Sequence, residues 1–216
     1  MSLRVYYGGT FDPVHNGHLA IARAARDALH RTIRLMPAAD PPHRPPPGAT
    51  AAQRVAMLDL AVAGEPGLRV DRRELERAGR SYTIDTLRAL RDEYGAQAPL
   101  ALLVGADSFL ALPSWKDWRQ LFSEAHFVVA ERPGSPLDAG LPPELAAAVA
   151  GRWADAAAEL EAAPAGRVLR LRQPLHEASA TGIRDLIAAG GPWRERLPAP
   201  VADYIALNGL YGSRVL

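Results

Sequence analysis

The chain alternates between short apolar runs and longer stretches in which apolar residues recur at helical spacing. An unbroken apolar run of about four to eight residues, bounded by turn-forming residues, is typical of a buried strand. On this pattern we predict strands at residues 3–7, 32–36, 99–104, 127–130 and 167–171.

Helical spacing is clearest after the first predicted strand, where one face is apolar and Arg23, Arg26 and Asp27 fall on another. The apolar face comprises Leu19, Ala22, Ala25 and Leu29. We predict further helices at residues 53–63, 81–94, 181–189 and 200–208. Ser81 or Thr83 is available to cap the helix at 81–94, and Gly209 is a C-terminal signal for the last helix.

The alternation of strands and helices favours the α/β fold class, with a Rossmann-like, doubly wound parallel sheet covered by helices on both faces. We predict a single domain over residues 1–216, with a peripheral helical segment at 133–165 that is rich in Ala, Pro and Gly. Ligands of such sheets bind at the carboxyl ends of the strands. Motifs at strand-to-helix junctions are therefore the most informative about function.

Composition excludes several classes of protein. The net charge of +1 gives no strong attraction to nucleic acid or to a membrane surface. Arginines and prolines interrupt every apolar run before it reaches the roughly 18–20 residues of a membrane span. The absence of cysteine excludes disulfides and thiolate metal sites. We expect a cytoplasmic protein that binds neither nucleic acid nor membrane, and the sequence leaves open whether it is a homo-oligomer.

The junction after the first predicted strand reads Gly8-Gly9-Thr10-Phe11-Asp12-Pro13-Val14-His15-Asn16-Gly17-His18. Two glycines let the backbone approach a ligand closely, and the free amides of a helix start favour an anion. His15 and His18 can face one point from the first helical turn, and Gly17 leaves space for a phosphate. This junction predicts a phosphate cradle. The alternatives are a helix start with two surface histidines and a two-histidine metal site.

A second junction reads Ser179-Ala180-Thr181-Gly182-Ile183-Arg184 and precedes another apolar helix. Two hydroxyls and a guanidinium converge at this helix start, an arrangement that suits the outer phosphates of a nucleotide. Simple capping of the helix by Ser or Thr is the alternative interpretation.

The first junction resembles the His/Thr-x-Gly-His signature of nucleotidyltransferases, and the second resembles the Ser-x-Thr-x-x-Arg signature of the same superfamily. Ala178 stands where that signature has isoleucine or leucine, a departure that we expect to affect packing more than chemistry. Five further stretches narrow the resemblance: residues 41–45, 80–87, 105–109, 112–118 and 132–133. In this order they look like bacterial nicotinate-nucleotide adenylyltransferases, over residues 7–211.

The resemblance implies transfer of the adenylyl group of ATP to nicotinic acid mononucleotide, giving nicotinic acid adenine dinucleotide and pyrophosphate in NAD biosynthesis. It implies direct in-line attack without a covalent enzyme intermediate. Mg²⁺ is expected as a cofactor bound mainly through the ATP phosphates, with no metal ligands from the protein. ATP and nicotinic acid mononucleotide are the expected partners.

The resemblance also implies roles for individual residues. The catalytic residues implied are His15, His18 and Arg184. Those implied to bind ATP are Gly8, Gly9, Thr10, Phe11, Gly105, Asp107, Ser179 and Thr181. Those implied to bind the nicotinate nucleotide are His43, Arg44, Tyr82, Thr83 and Trp115, with Trp115 offering a flat face to the pyridine ring. For Asp12 we favour a turn role over metal ligation.

Structural alternatives stay open for several of these residues. Asp107 could be a buried helix-capping residue, and Thr83 a simple cap. Trp115 could belong to the core or anchor the surface. Trp118, three residues further on, could be the packing partner instead. His43 and Arg44 could belong to a rigid exposed loop.

Three rival functions also stay open. The first is another adenylyltransferase of the superfamily, such as the phosphopantetheine enzyme. The second is preference for the amide nucleotide, nicotinamide mononucleotide. The third is a nucleotide-sensing module without catalysis.

Overall fold

The computed structural model describes residues 2–39, 48–77, 79–131, 137–172 and 178–213. These residues form a seven-stranded parallel sheet with the strand order β3-β2-β1-β4-β5-β7-β6. The strands are β1 (Arg4–Gly9), β2 (Ile33–Pro37), β3 (Leu68–Val70), β4 (Leu100–Gly105), β5 (His126–Ala130), β6 (Trp153–Ala154) and β7 (Val168–Leu171). The predicted α/β class and Rossmann-like parallel sheet are confirmed.

Helices cover both faces of this sheet. Among the described residues the α-helices are α1 (Asn16–Leu29), α2 (Ala51–Val62), α3 (Arg73–Glu76), α4 (Thr83–Tyr94), α5 (Ala106–Leu110), α6 (Leu121–Glu124), α7 (Leu137–Gly140), α8 (Pro143–Val149), α9 (Ala158–Glu161), α10 (Ala180–Ala188) and α11 (Ala199–Leu207). Four 3-10 turns, η1 to η4, lie at Leu112–Ser114, Trp118–Gln120, Arg194–Arg196 and Leu210–Gly212. No helix within the described ranges is long and apolar enough to cross a membrane.

The central strands are buried on both sides, which explains why they appear in the sequence as unbroken apolar runs. Every residue of β5 is buried, and so are the first five residues of β4. One core cluster packs α1, α2, α10 and α11 on one face of the sheet, and a second packs α4 and the segment from α5 to α8 on the other. The apolar face predicted for α1 is confirmed, since its four residues are buried.

The strand register brings the carboxyl ends of the strands to one edge. Gly9 of β1 is paired with Pro37 of β2, and Gly105 of β4 is paired with Ala130 of β5. Tyr7 is paired with Leu103, so Gly9 and Gly105 lie at the same level two residues further along. This edge therefore gathers the loops that carry the predicted site.

Some sequence predictions need correction. Strands β3 and β6 were not predicted, because runs of three and two residues are too short for a periodic signal. The predicted peripheral segment 133–165 contains α7, α8 and α9, but it also supplies β6 at the edge of the sheet. Gly209 follows α11 with a left-handed backbone (φ 60°), as predicted.

The predicted cap of α4 is wrong. The N-cap residue of this helix is Tyr82, and no side chain of the described residues caps it. Thr83 is the first helical residue. Ser81 instead accepts a hydrogen bond from the backbone N–H of Ala39 at 2.9 Å, which connects the start of α4 to the end of β2.

Candidate active site

The first junction folds into a cap in which two histidines hold each other. His15 is the N-cap of α1, and its Nδ1 accepts the backbone N–H of His18 at 3.3 Å. The Nδ1 of His18 accepts the backbone N–H of His15 at 3.2 Å. The rings stack with centroids 3.6 Å apart. Because both Nδ1 atoms are acceptors, each ring carries its hydrogen on Nε2 when it is neutral.

Phe11 lies beneath this histidine pair. Its backbone is left-handed (φ 51°), and the residue is only 1% exposed. The ring packs edge-on against Tyr7 and His18, with centroids 5.6 and 5.0 Å away. A Cβ on Gly9 would come within 3.0 Å of the Phe11 ring, so Gly9 makes room for it. The Phe11 side chain is therefore part of the core beneath the first junction.

Gly17 has a different role from the one predicted. The sequence suggested that it leaves space for a phosphate. In the structure it is buried, and a Cβ there would lie 3.0 Å from Nδ1 of His15 and 3.4 Å from the carbonyl oxygen of Ala178. Gly17 therefore lets α1 approach the second junction closely, and the protein itself fills the space beside it.

The second junction both caps its helix and reaches the first junction. Ser179 is the N-cap of α10, and its Oγ accepts the Gly182 N–H at 3.1 Å, so the capping alternative is observed. Arg184 donates from Nη2 to the Thr181 hydroxyl at 3.2 Å and from Nη1 to the backbone carbonyl of Asp12 at 2.7 Å. That last bond joins the two motifs across 172 positions of sequence.

Asp12 organises the loops around this contact. The residue is 5% exposed. Its Oδ2 accepts the Gly48 N–H at 2.7 Å, and its Oδ1 accepts the Ala49 N–H at 3.1 Å and the Tyr211 hydroxyl at 2.7 Å. The Arg184 Nη1 lies 3.8 Å from Oδ2. The predicted turn role is thus a wider one, because Asp12 connects three distant parts of the chain.

Arg54 is a site residue that sequence reasoning missed. Its side chain leaves α2 and is buried, with the residue 1% exposed. Nη1 donates to the carbonyls of Thr10 and Ala38 at 2.8 and 2.7 Å, and Nη2 donates to that of Ala39 at 3.1 Å. Burial lowers the pKa of Arg54 and nearby Asp12 opposes this shift. The guanidinium fastens the ends of β1 and β2 together. An arginine within a predicted amphipathic helix gives no signal of this role.

A buried carboxyl group lies behind the start of α4. Oε1 of Glu74 accepts the Thr86 hydroxyl at 2.7 Å, and Arg77 donates to that hydroxyl at 3.0 Å. Burial raises the pKa of Glu74, although hydrogen bonds from Thr86 and Ser81 act in the opposite direction. Tyr82 and Thr83 are half-buried at the start of this helix. The hydrogen bonds that Glu74 and Arg77 form with Thr86 therefore stabilise the first turn of α4.

Lys116 connects the Trp115 segment to the same helix start. Its Nζ lies 3.2 Å from both carboxylate oxygens of Asp85 and 4.7 Å from the centre of the Tyr82 ring. Trp115 is half-buried, whereas Trp118 is buried and packs edge-on against Phe122. This contrast matches the alternative in which Trp118 is the packing partner, although half-buried Trp115 also packs against the second core cluster.

The junction after β4 has simpler geometry. Gly105 is the N-cap of α5, and Asp107 lies in the first turn of that helix with its side chain exposed. The buried capping role considered for Asp107 is therefore not what the structure has. His43 and Arg44, and the stretches 41–45 and 132–133, lie outside the described residues.

Within the described part of the chain, no three His, Asp or Glu residues come together as a metal site. The carboxylate nearest the histidines in sequence, Asp12, is already occupied by backbone and hydroxyl donors. These residues suit a metal ion that arrives with a phosphate ligand better than one held in a protein cage.

Comparisons with known proteins identify the family of this chain. Residues 6–186 match the family model described as cytidylyltransferase-like. The chain is 64% identical to a protein of Stenotrophomonas maltophilia (strain K279a) named probable nicotinate-nucleotide adenylyltransferase, over 99% of this chain and 98% of that protein. It is 49% identical to the protein of the same name from Xylella fastidiosa (strain 9a5c), over 98% of this chain and 97% of that protein.

Solved structures share the fold. One is the Plasmodium falciparum nicotinic acid mononucleotide adenylyltransferase complexed with NaAD, with a TM-score of 0.75 and 14% identity over the full length of both chains. Another is a putative nicotinate-nucleotide adenylyltransferase from Vibrio parahaemolyticus, with a TM-score of 0.64 and 13% identity over 100% of this chain and 98% of that chain.

Proposed function

Since the chain belongs to the nicotinate-nucleotide adenylyltransferases of the cytidylyltransferase-like family, we propose that its two helix-start junctions act together as one site for adenylyl transfer. The reaction joins the adenylyl group of ATP to nicotinic acid mononucleotide and releases pyrophosphate in NAD biosynthesis. The observation that carries the site assignment is the 2.7 Å bond from Arg184 to the Asp12 carbonyl, which places both junctions side by side.

The chemistry needs no nucleophile from the protein. A 5′-phosphate oxygen of the mononucleotide attacks the α-phosphorus of ATP, and the bond to the bridging oxygen of the β-phosphate breaks on the opposite side. Pyrophosphate leaves with that bonding pair. The protein supplies alignment and neutralises charge that develops on the phosphoryl oxygens.

We assign the reacting centre to the first junction. The backbone of Gly8, Gly9 and Thr10 approaches the phosphates, while the Nε2–H groups of His15 and His18 donate to them. His18 is the more exposed of the two histidines. Their mutual cap fixes the tautomer in advance, so these donors need no reorganisation when charge develops.

We assign the departing pyrophosphate to Thr181 and Arg184, with Ser179 able to donate its hydroxyl hydrogen while its oxygen caps α10. Mg²⁺ would arrive on the ATP phosphates and share the neutralisation of their charge. Gly105 and Asp107 are assigned to the adenosine, with the exposed carboxylate accepting hydrogen bonds from ribose hydroxyls.

The mononucleotide is assigned to the opening between α4 and the Trp115 segment. The first backbone amides of α4, near Tyr82 and Thr83, favour the nicotinate carboxylate. Trp115 would stack on the pyridine ring. His43 and Arg44 remain proposed contacts to the nucleotide phosphate. The compartment that we propose for this reaction is the cytoplasm.

The test is pyrophosphate release with ATP and Mg²⁺, measured in parallel with nicotinic acid mononucleotide, nicotinamide mononucleotide and phosphopantetheine. We expect fast release with the nicotinic acid nucleotide. Faster release with the amide nucleotide would overturn the proposed carboxylate site. Release with phosphopantetheine instead would overturn the substrate assignment, and no release with any acceptor would favour a sensing module.

A further inference from the structure

Tyr211 reaches the site from the C-terminal part of the chain through an unusual backbone path. It lies in η4, where its φ of 58° and ψ of 22° are left-handed. A residue other than glycine adopts this conformation at a cost in free energy, and such residues persist where surrounding contacts hold them. Gly209, two residues earlier, is also left-handed. These two turns bring the phenol back beneath the first junction.

The surroundings of the Tyr211 ring fit it closely. Its hydroxyl donates to Oδ1 of Asp12 at 2.7 Å. A Cβ on Gly48 would lie 3.1 Å from two carbons of the ring, so a larger residue at this position would require the ring to shift by a few tenths of an ångström. Burial raises the pKa of the Tyr211 hydroxyl and the Asp12 carboxylate acts in the same direction, so the hydroxyl stays a donor at neutral pH.

The hydrogen bond from Tyr211 can affect the proposed reaction through Asp12. Its carboxylate accepts hydrogen bonds from the Tyr211 hydroxyl and from two backbone amides. The Arg184 guanidinium lies 3.8 Å from Oδ2 and donates to the backbone carbonyl of Asp12. A carboxylate with fewer donors attracts a neighbouring cation more strongly at low solvent exposure. Loss of the hydroxyl would therefore draw Arg184 toward Asp12.

We propose that Tyr211 is a positioning residue that satisfies the Asp12 carboxylate and thereby keeps the Arg184 guanidinium available to the outer phosphates. This inference rests on the proposed role of Arg184 in phosphate binding. Tyr211 itself touches Asp12 and Gly48, and it acts on phosphate only through Arg184.

The experiment measures binding of inorganic pyrophosphate by isothermal titration calorimetry, which requires no turnover. The Tyr211→Phe substitution removes one oxygen and keeps the ring. We expect it to weaken pyrophosphate binding about tenfold, the equivalent of about 1.4 kcal/mol. In an Arg184→Ala background, the same substitution should change binding less than twofold, because the residue through which it acts is absent.

Tyr204→Phe is the matched control, since Tyr204 lies on α11 and packs against the same core cluster. It should bind pyrophosphate like the wild type. Unchanged binding in Tyr211→Phe, or an equal loss in the Arg184→Ala background, would overturn the proposal. A thermal melt of each variant identifies any loss caused by unfolding. If the variants show this coupling between Tyr211 and Arg184 but the wild-type protein transfers no adenylyl group, the proposed reaction is wrong and the positioning role of Tyr211 stands.

Discussion

His15 and His18 each accept the other's backbone N–H through Nδ1, and their rings stack 3.6 Å apart. The first turn of α1 and the tautomers of both rings are therefore fixed by one reciprocal contact. A substitution at either histidine removes a helix cap together with the Nε2–H group that we propose donates to phosphate. Asparagine can separate these effects, because its Oδ1 takes the place of Nδ1 and nothing takes the place of Nε2.

We predict that His18→Asn lowers kcat by about 10²-fold or more, since it removes a donor to the charge that develops in the transition state. The thermal midpoint should stay close to that of the wild type, because the cap survives. Steady-state pyrophosphate release and a thermal melt measure the two quantities.

The control for His18→Asn is His30→Asn, at the other end of α1. His30 has a left-handed backbone (φ 51°), which asparagine tolerates well. This variant should keep wild-type turnover. A folded His18→Asn enzyme with wild-type kcat would remove His18 from the catalytic residues.

The tautomers give a second prediction that needs no substrate. In the free enzyme at pH 8, both His15 and His18 should carry their hydrogen on Nε2, with Nδ1 as the acceptor. Long-range ¹⁵N–¹H NMR correlation distinguishes the two neutral tautomers of each ring. A signal from an Nδ1–H form of either residue would contradict the reciprocal cap.

The role of Trp115 leads to a third prediction. Trp115→Ala should raise the KM for nicotinic acid mononucleotide by about tenfold, in the range expected for loss of an aromatic stacking partner. The KM for ATP should change much less, and Trp115→Phe should recover most of the loss. Equal increases in both KM values would show that Trp115 only packs against its neighbours.

The fourth prediction concerns stability and pH. His126 at the start of β5 is fully buried, with Nδ1 accepting the Arg167 N–H at 3.0 Å and Nε2 2.9 Å from the Ala163 carbonyl. Burial lowers its pKa in the folded protein. The pKa of histidine in the unfolded chain is about 6.5. As the pH falls below this value, His126 becomes protonated in the unfolded chain but stays neutral in the folded protein. Stability contributed by neutral His126 is therefore lost with acidification.

Urea unfolding between pH 8 and pH 5 measures this loss. His126→Gln cannot take up that proton, so its free energy of unfolding should fall less steeply below pH 7 than that of the wild type. His30→Asn, which replaces an exposed histidine, is measured in parallel as the control substitution. Parallel curves for the wild type and His126→Gln would exclude this contribution.

Much of the fold could be predicted because buried parallel strands and amphipathic helices leave periodic signals. The face of α1 formed by Leu19, Ala22, Ala25 and Leu29 is one example. The two helix-start junctions were visible because each is a compact string of polar residues and glycines. Contacts between distant positions could not be predicted, because nothing in the sequence around Asp12 or Tyr211 indicates that these two residues meet.

Residues that hold the site from behind were equally hidden. Arg54 looks like one polar position of an amphipathic helix, yet its guanidinium is buried against three backbone carbonyls. Lys116 and Asp85 belong to different motifs, and their pairing depends on how α4 packs beside the Trp115 segment. Sequence periodicity identifies which face of an element is buried, but it does not specify its neighbour.

The position of β7 in the sheet limits the order in which the strands can pair during synthesis. Among the seven described strands β7 comes last along the chain, yet it lies between β5 and β6. In a nascent chain leaving the ribosome, the edge of β5 that pairs with β7 must stay unpaired until residue 171 has emerged. Arg184 follows later still. Nascent chains that stop short of Arg184 contain both histidines of the first junction but lack the side chain that donates to the Asp12 carbonyl, so we expect the two junctions to meet only after residue 184 has been synthesised.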